Sequence, residues 1–422
     1  MKKYLYLSAL AFTCFTACKK DSLTKIPLEK SFDDQNPVVQ KYQATITAGD
    51  GWKATFNTAK GTMYNGFFKF ETTGDSKFVL DYSSASAATV GTAKYTATVY
   101  NTNPTLALSS TSAFGTIASV KSLGIDTSFT FKYASATGDT VKLVGNSYGC
   151  GLTLVKIAKA EGDNYLAGQM ATAMTSVANL NKFRAYYKRA TINGKNYDLI
   201  FNTKAKVLTI NYSSAGVFQR FVAYYSYTPN GVMLSQPFVD GTLTFSTISA
   251  LQVDLPSFTA TATAGTSSVA INNATTPVAI DLTSAKRFEV TIVPITNYWI
   301  SYYGFTIDGV PDALNVSGII PTFNFIAFYT KYNASYDRVG FWANGAVGAY
   351  GPAVVPTYPT DGRLVCTYFG SFGTSTVPAV ATVVNAVRDR FIDAQGYYVF
   401  QTGPSSYDWV SVATGRTWIS FE

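Results

Sequence analysis

Lys77-Phe78-Val79-Leu80-Asp81-Tyr82-Ser83-Ser84-Ala85 is the stretch from which the fold is read, because the chain uses it twice. Its echo is Lys206-Val207-Leu208-Thr209-Ile210-Asn211-Tyr212-Ser213-Ser214-Ala215. Each copy follows a second shared piece, Phe70-Glu71-Thr72-Thr73 in the first and Phe201-Asn202-Thr203-Lys204 in the second. Apolar and polar residues alternate, which sends successive side chains to opposite faces of a strand and leaves one face wet. Lys94-Tyr95-Thr96-Ala97-Thr98-Val99-Tyr100 and Thr127-Ser128-Phe129-Thr130-Phe131-Lys132-Tyr133 alternate in the same way. Between such runs stand Asn65-Gly66, Asn193-Gly194, Asn230-Gly231, Asp240-Gly241, Asp308-Gly309, Asn344-Gly345 and Asp361-Gly362, which suit turns that need positive φ. Half-wet strands joined by tight turns build antiparallel meanders, not a parallel sheet. The predicted class is therefore all-β.

Working outward, the repeat divides the chain. A first β unit covers residues 35–160, an Ala/Thr-rich connector 161–179 and a second β unit 180–255. Ala118-Ser119-Val120-Lys121-Ser122-Leu123 finds a looser counterpart in Phe245-Ser246-Thr247-Ile248-Ser249-Ala250-Leu251. Asn36-Pro37 opens a short helix reaching about Ile46, Asp50-Gly51 ends it, and Trp52 begins the strands. An early tryptophan followed by up-and-down strands looks like a lipocalin-type barrel or half-barrel, in which that tryptophan packs the closed end. The likeness is architectural and implies no ligand cavity by itself.

Residues 256–285, rich in Ser, Thr and Ala, read as a linker or an edge loop. A β-rich domain over 286–422 follows, with strands expected over residues 289–293, 298–307, 324–330, 363–369, 397–400 and 409–412. One helix is expected from Pro378 to Ala394, with Val380, Val383, Val384, Val387 and Phe391 on one face and Gly396 just beyond its end.

The amino terminus points to export. Met1-Lys2-Lys3 is a basic start, Tyr4 to Phe15 an apolar core too short for a stable span, and Thr16-Ala17 lead into Cys18. That order resembles a bacterial lipoprotein signal, with Phe15 where leucine is usual. The resemblance implies a leader over 1–17, acylation of Cys18 and a polar tether over 18–34. No second apolar stretch of about 18 residues follows, so the lipid is the expected membrane anchor.

Composition narrows the chemistry. The 422 residues contain no histidine, which removes the imidazole base, the Ser–His and Cys–His nucleophile pairs and the commonest zinc ligand. A formal charge of +8 spread over this length, without Lys/Arg clusters among aromatics, argues against nucleic acid. Cys14 leaves with the leader and Cys18 carries lipid. Cys150 and Cys366 lie beside apolar runs in different predicted units and read as buried thiols, with a disulfide as the alternative.

Aromatics make up 15% of the chain, enough to expect an exposed patch. The densest run is Asn297-Tyr298-Trp299-Ile300-Ser301-Tyr302-Tyr303-Gly304-Phe305. A single strand there would put Trp299, Tyr303 and Phe305 on one face. Trp299 and Tyr303, with Trp342 from Phe341-Trp342-Ala343-Asn344-Gly345, are the candidate ligand-binding residues; a strand buried on both faces is the competing reading. Tyr224-Tyr225-Ser226-Tyr227 is a weaker version of the same pattern.

The carboxylate pairs Asp308/Asp312 and Asp389/Asp393 read as a turn and a wet helix face, not as the paired acids of a glycosidase. Gly145, Gly149 and Gly151 precede no helix and form no phosphate loop. No catalytic residue, metal site or cofactor is expected. Asp21-Ser22-Leu23 and Asp139-Thr140-Val141 match a short acceptor pattern for O-glycosylation.

The chain resembles a family of Bacteroidetes lipoproteins of unassigned function. The resemblance rests on Cys18-Lys19-Lys20-Asp21, Gly51-Trp52-Lys53-Ala54, Gly66-Phe67-Phe68-Lys69-Phe70, Asp139-Thr140-Val141-Lys142-Leu143-Val144-Gly145, Lys195-Asn196-Tyr197-Asp198-Leu199-Ile200-Phe201-Asn202-Thr203 and Tyr227-Thr228-Pro229-Asn230-Gly231-Val232. It covers residues 18 to about 255, with echoes in Gly396-Tyr397-Tyr398-Val399 and Trp418-Ile419-Ser420-Phe421. It implies a lipoprotein of the outer membrane, on the periplasmic face or the cell surface, often encoded near Sus-like nutrient importers, and it implies no reaction. The resulting expectation is a non-enzymatic accessory binding component of a glycan or peptide uptake system. A carboxylate-dependent glycan hydrolase and a structural or adhesive surface lipoprotein are the alternatives.

Overall fold

The alternating stretches close on themselves. The computed structural model describes residues 35–59, 61–135, 137–291 and 296–422. The leader, Cys18, the tether and Asp21-Ser22-Leu23 lie outside the described residues. Eight antiparallel strands, from Trp52–Asn57 to Gly151–Lys156, follow one another in chain order and the first pairs the last, Trp52 opposite Lys156. Phe56, Phe68, Phe78, Leu80, Leu106 and Leu154 point inward. A barrel of eight strands has an interior just wide enough for side chains to fill, and rings fill this one. Phe68 lies 5.6 Å from Phe78 and 5.9 Å from Phe114, which the short helix Ala113–Ala118 contributes. Trp52 packs beneath the helix Asn36–Thr47, its indole Nε1 donating to the Ile46 carbonyl at 2.7 Å.

Asn65-Gly66 is not the turn its composition predicts. Both residues lie inside the strand Met63–Phe70, Gly66 opposite Ala54 on one side and Leu80 on the other. Close approach explains this glycine, because a Cβ there would sit 2.4 Å from the Val79 carbonyl oxygen. At Asn193-Gly194 the turn forms, with φ of 50° and 79°.

The second barrel also has eight strands, running from Tyr187–Ile192 to Ser267–Ala274, with Val269 opposite Ile192 at the closure. It corrects the linker expected over 256–285, since Thr259–Ala264 and Ser267–Ala274 are its last two staves. Size complementarity gives the reason. Phe238 holds the interior with four rings around it, Tyr197, Tyr212, Phe221 and Phe245, all within 5.6 Å. The inward positions Ala260, Ala262 and Ala264 need only small side chains against that cluster.

The connector between the barrels is helical: Lys159–Leu166, then Gln169–Leu180 with Met170, Ala173, Val177 and Leu180 buried along one stripe. In both copies of the repeated stretch the residues point the same way. Phe78 and Leu80 face the first interior, as Leu208 and Ile210 face the second. The outward residue between them is covered by the next unit each time. Val79 joins the cluster of Tyr165, Met170 and Val177, and Thr209 Oγ1 donates to the Thr402 carbonyl at 2.9 Å.

The C-terminal unit is a ten-stranded sheet ending in Trp299–Ser301 at one edge and Phe305–Ile307 at the other. Its core gathers Phe288, Trp299, Phe328, Trp409 and Phe421 under the helix Pro378–Phe391. Ser284–Val290 is a helix where a strand was expected from 289. Asp281 sets its start by accepting from Thr283 N, Thr283 Oγ1 and Arg287, and Phe288 then places its ring 5.0 Å from both Trp299 and Trp409. Cys150 and Cys366 are both buried free thiols.

Candidate functional site

Two strands build the most distinctive surface of the molecule. In Phe323–Tyr329 and Asp337–Ala343 the residues Ile326, Phe328, Val339 and Phe341 enter the core, so Phe325, Tyr329, Arg338 and Trp342 face away from it. Trp342 stacks on Phe325 at 5.3 Å, Tyr298 lies 5.6 Å from Trp342 and 4.8 Å from Tyr329, and Trp342 Nε1 donates to Tyr329 Oη at 3.0 Å. The row continues through Tyr332, Tyr336 and Phe369, the last two 4.6 Å apart. Arg338 holds its guanidinium 4.5 Å from the Phe372 ring and 5.4 Å from Tyr332. Tyr302, Tyr332 and Phe369 are 40%, 43% and 56% exposed, so the row is a surface and not a second core.

Trp342 lies half-buried on this outer face. Trp299, expected beside it as a ligand-binding residue, is instead 1% exposed within the C-terminal core. Tyr303 is 64% exposed and on no common face with Trp299, because the strand expected over 298–307 breaks at Tyr302-Tyr303-Gly304. Gly304 turns there with φ of 59°, and the next strand pairs with Thr417–Phe421 at the opposite edge of the sheet. Alternation across a break carries no facial information. Tyr225 and Tyr227 are buried in the second barrel's cluster.

Tyr303 instead borders a cavity of about 400 Å³ between the second barrel and the C-terminal sheet, with Lys188, Lys204, Trp418 and Glu422 among its walls. Tyr302 links the two regions, its ring 6.2 Å from Phe325 and 4.0 Å from Lys204 Nζ.

The acid pairs are engaged in structure. Asp308 pairs with Arg416, and Asp312 accepts from Val316 N and from Ser317 N and Oγ. Asp389 pairs with Arg388, and Asp393 accepts from Gln395 N and Ser411 Oγ. Among the described residues no three His, Cys, Asp or Glu side chains gather at metal-ligand spacing, and no helix is long and apolar enough to cross a membrane. Sequence reading missed Lys188. It sits in Tyr186-Tyr187-Lys188-Arg189, and nothing local marks it, because Trp418, whose ring stands 5.3 Å from its ammonium, comes from more than two hundred residues downstream.

These features define the class: an all-β protein of two tandem closed barrels followed by a β-rich domain that carries an aromatic outer face. Residues 35–251 match the profile of a family described as a domain of unknown function, DUF4302. That is more than half of the chain, and the chain belongs to this family. The match stops short of the last two staves of the second barrel and leaves the aromatic face outside it. A comparison with curated proteins finds no match.

Proposed function

We propose that the protein is a lipid-anchored, non-enzymatic binding component of a glycan uptake system at the bacterial outer membrane, working beside a Sus-like importer. The observation that carries this reading is the aromatic row from Tyr302 through Phe325, Trp342, Tyr298, Tyr329 and Tyr332 to Tyr336 and Phe369. Tyr302, Tyr332 and Phe369 are exposed and the rings between them half-buried, an aromatic surface that suits stacking on sugar rings, whose C–H faces are apolar while their hydroxyls stay in water. The packed barrel interiors favour the outer surface over a lipocalin-like interior as the binding region. The reading is tested with residues 35–422 on a panel of immobilised polysaccharides. Retention of at least one polysaccharide by the native chain and its loss in Trp342→Ala support it; equal retention of both variants, or of neither, counts against it. Purification of the full-length lipoprotein from mild-detergent membranes then reports whether a TonB-dependent importer comes with it, and recovery of the protein alone counts against the uptake assignment.

A further inference from the structure

The cavity between the second barrel and the C-terminal sheet contains an ammonium that no carboxylate pairs with directly. Lys188 lies in the strand Tyr187–Ile192 and is 5% exposed. Among the described residues nothing accepts a hydrogen bond from its ammonium, and no carboxylate lies within ion-pair distance. Its company is aromatic: Nζ stands 5.3 Å from the Trp418 ring and 5.5 Å from Tyr186. Rings offset part of the cost of burying an ammonium, and Nζ is not fully shut off but opens on the cavity. The acid whose charge bears on it, Asp408, accepts from Tyr186 Oη through Oδ2 at 2.6 Å. Burial holds the Lys188 ammonium down to about 8, with the Asp408 charge opposing the shift.

We infer that this cavity is a binding site for a small polyhydroxylated carboxylate of the sugar-acid type, whose carboxylate meets the Lys188 ammonium. Its volume of about 400 Å³ falls within the range of small-molecule sites. Thr203, Thr402 and Ser420 line the wall with hydroxyls and Trp418 with a ring, and the two carboxylates that also border it are engaged, Glu422 with Lys204 at 3.1 Å and Asp408 with Tyr186 Oη at 2.6 Å. A buried ammonium aimed into such a space prefers an acid over its neutral analogue, because a neutral ring would leave the charge unpaired. The inference stands apart from the aromatic row and survives if that row binds nothing.

The test uses residues 35–422 and calorimetry with glucuronate, galacturonate and methyl glucoside as probes. At least one of the two acids should bind, and methyl glucoside about ten-fold or more weaker. Lys188→Met should lower the acid's affinity by about ten-fold or more, the lower range for one buried charge-assisted contact. Thr203→Trp, at an exposed wall position, should block the space without touching the lysine. If Lys188→Met lacks a cooperative melt, Thr203→Trp decides alone. Absence of binding by both acids, equal binding of methyl glucoside, or unchanged affinity in the informative variant overturns the inference.

Discussion

Asp81 at the end of a first-barrel strand and Lys206 at the start of a second-barrel strand form an ion pair 2.6 Å long, with side chains 0% and 6% exposed. Asp81 also accepts from Asn65 N at 2.9 Å and Tyr227 N at 2.7 Å, so one carboxylate ties a strand of each barrel together. Burial pushes the Asp81 carboxyl up and the Lys206 ammonium down, and each partner's charge opposes the other's shift. The Tyr64 ring covers the ammonium at 4.1 Å.

Removing one partner strands the other charge in a dry interface. Asp81→Asn or Lys206→Met should each lower stability by about 3 kcal/mol or more. The double variant should lose less than the sum of the two, since no unpaired ion remains. Urea denaturation of the four proteins measures this cycle, and additive losses would show that the pair does not couple the barrels.

The two tryptophans selected from the sequence should part company. Trp299→Ala empties a core packed with Phe288 and Tyr407 and should cost about 3–5 kcal/mol. Trp342→Ala removes a half-buried ring and one hydrogen bond to Tyr329, and should cost about 1–2 kcal/mol while breaking the aromatic row. Thermal melts compared with polysaccharide retention separate the two. A Trp342 variant as unstable as the Trp299 variant would place it in the core.

Asp337 should make the protein more stable as mild acid is added. Its Oδ1 accepts from Lys331 N at 2.6 Å, while Oδ2 is buried with no partner among the described residues. Burial pushes the carboxyl up to about 6, the Lys331 amide opposes this, and the Glu289 charge adds to it. The folded chain then holds a proton between pH 4 and 6 that the unfolded chain has released, so this group's contribution falls as pH rises through that window. Asp337→Asn keeps the acceptor for Lys331, removes the titrating group and should flatten the dependence between pH 4 and 6. A set of melts across that range checks the sign.

Cys18→Ala should move the full-length protein from the membrane fraction to the soluble fraction of its host. Fractionation with an antibody to the chain reads this directly, and a variant that stays with the membrane would remove the lipid anchor from the account.

What the sequence displays most clearly is what neighbouring residues determine together. Alternation in Lys77–Tyr82 and its echo specifies a strand with one inward face, and the dipeptide Asn193-Gly194 specifies a hairpin. These are backbone and local solvation preferences. The same local logic fails at Asn65-Gly66, where glycine answers a neighbouring strand's carbonyl, and at 259–274, where small residues complement the large Phe238 across a barrel. It fails again at Tyr302-Tyr303-Gly304, because one reversal sends Trp299 into the core and Tyr303 toward a cavity.

By itself, then, the sequence determined the all-β class, the antiparallel order and the twofold use of one barrel pattern. Hydrogen bonding and side-chain alternation along a strand are short-range physics. Only the tertiary structure decided which outward residues would be covered. Val79 and Thr209 face outward from their barrels yet are buried by the next unit, Asp81 meets Lys206 across 125 positions, and Lys188 is covered by Trp418 from more than two hundred positions downstream. Those outcomes depend on how complete units dock, because desolvation is a property of the assembled surfaces and not of any segment that contributes to them.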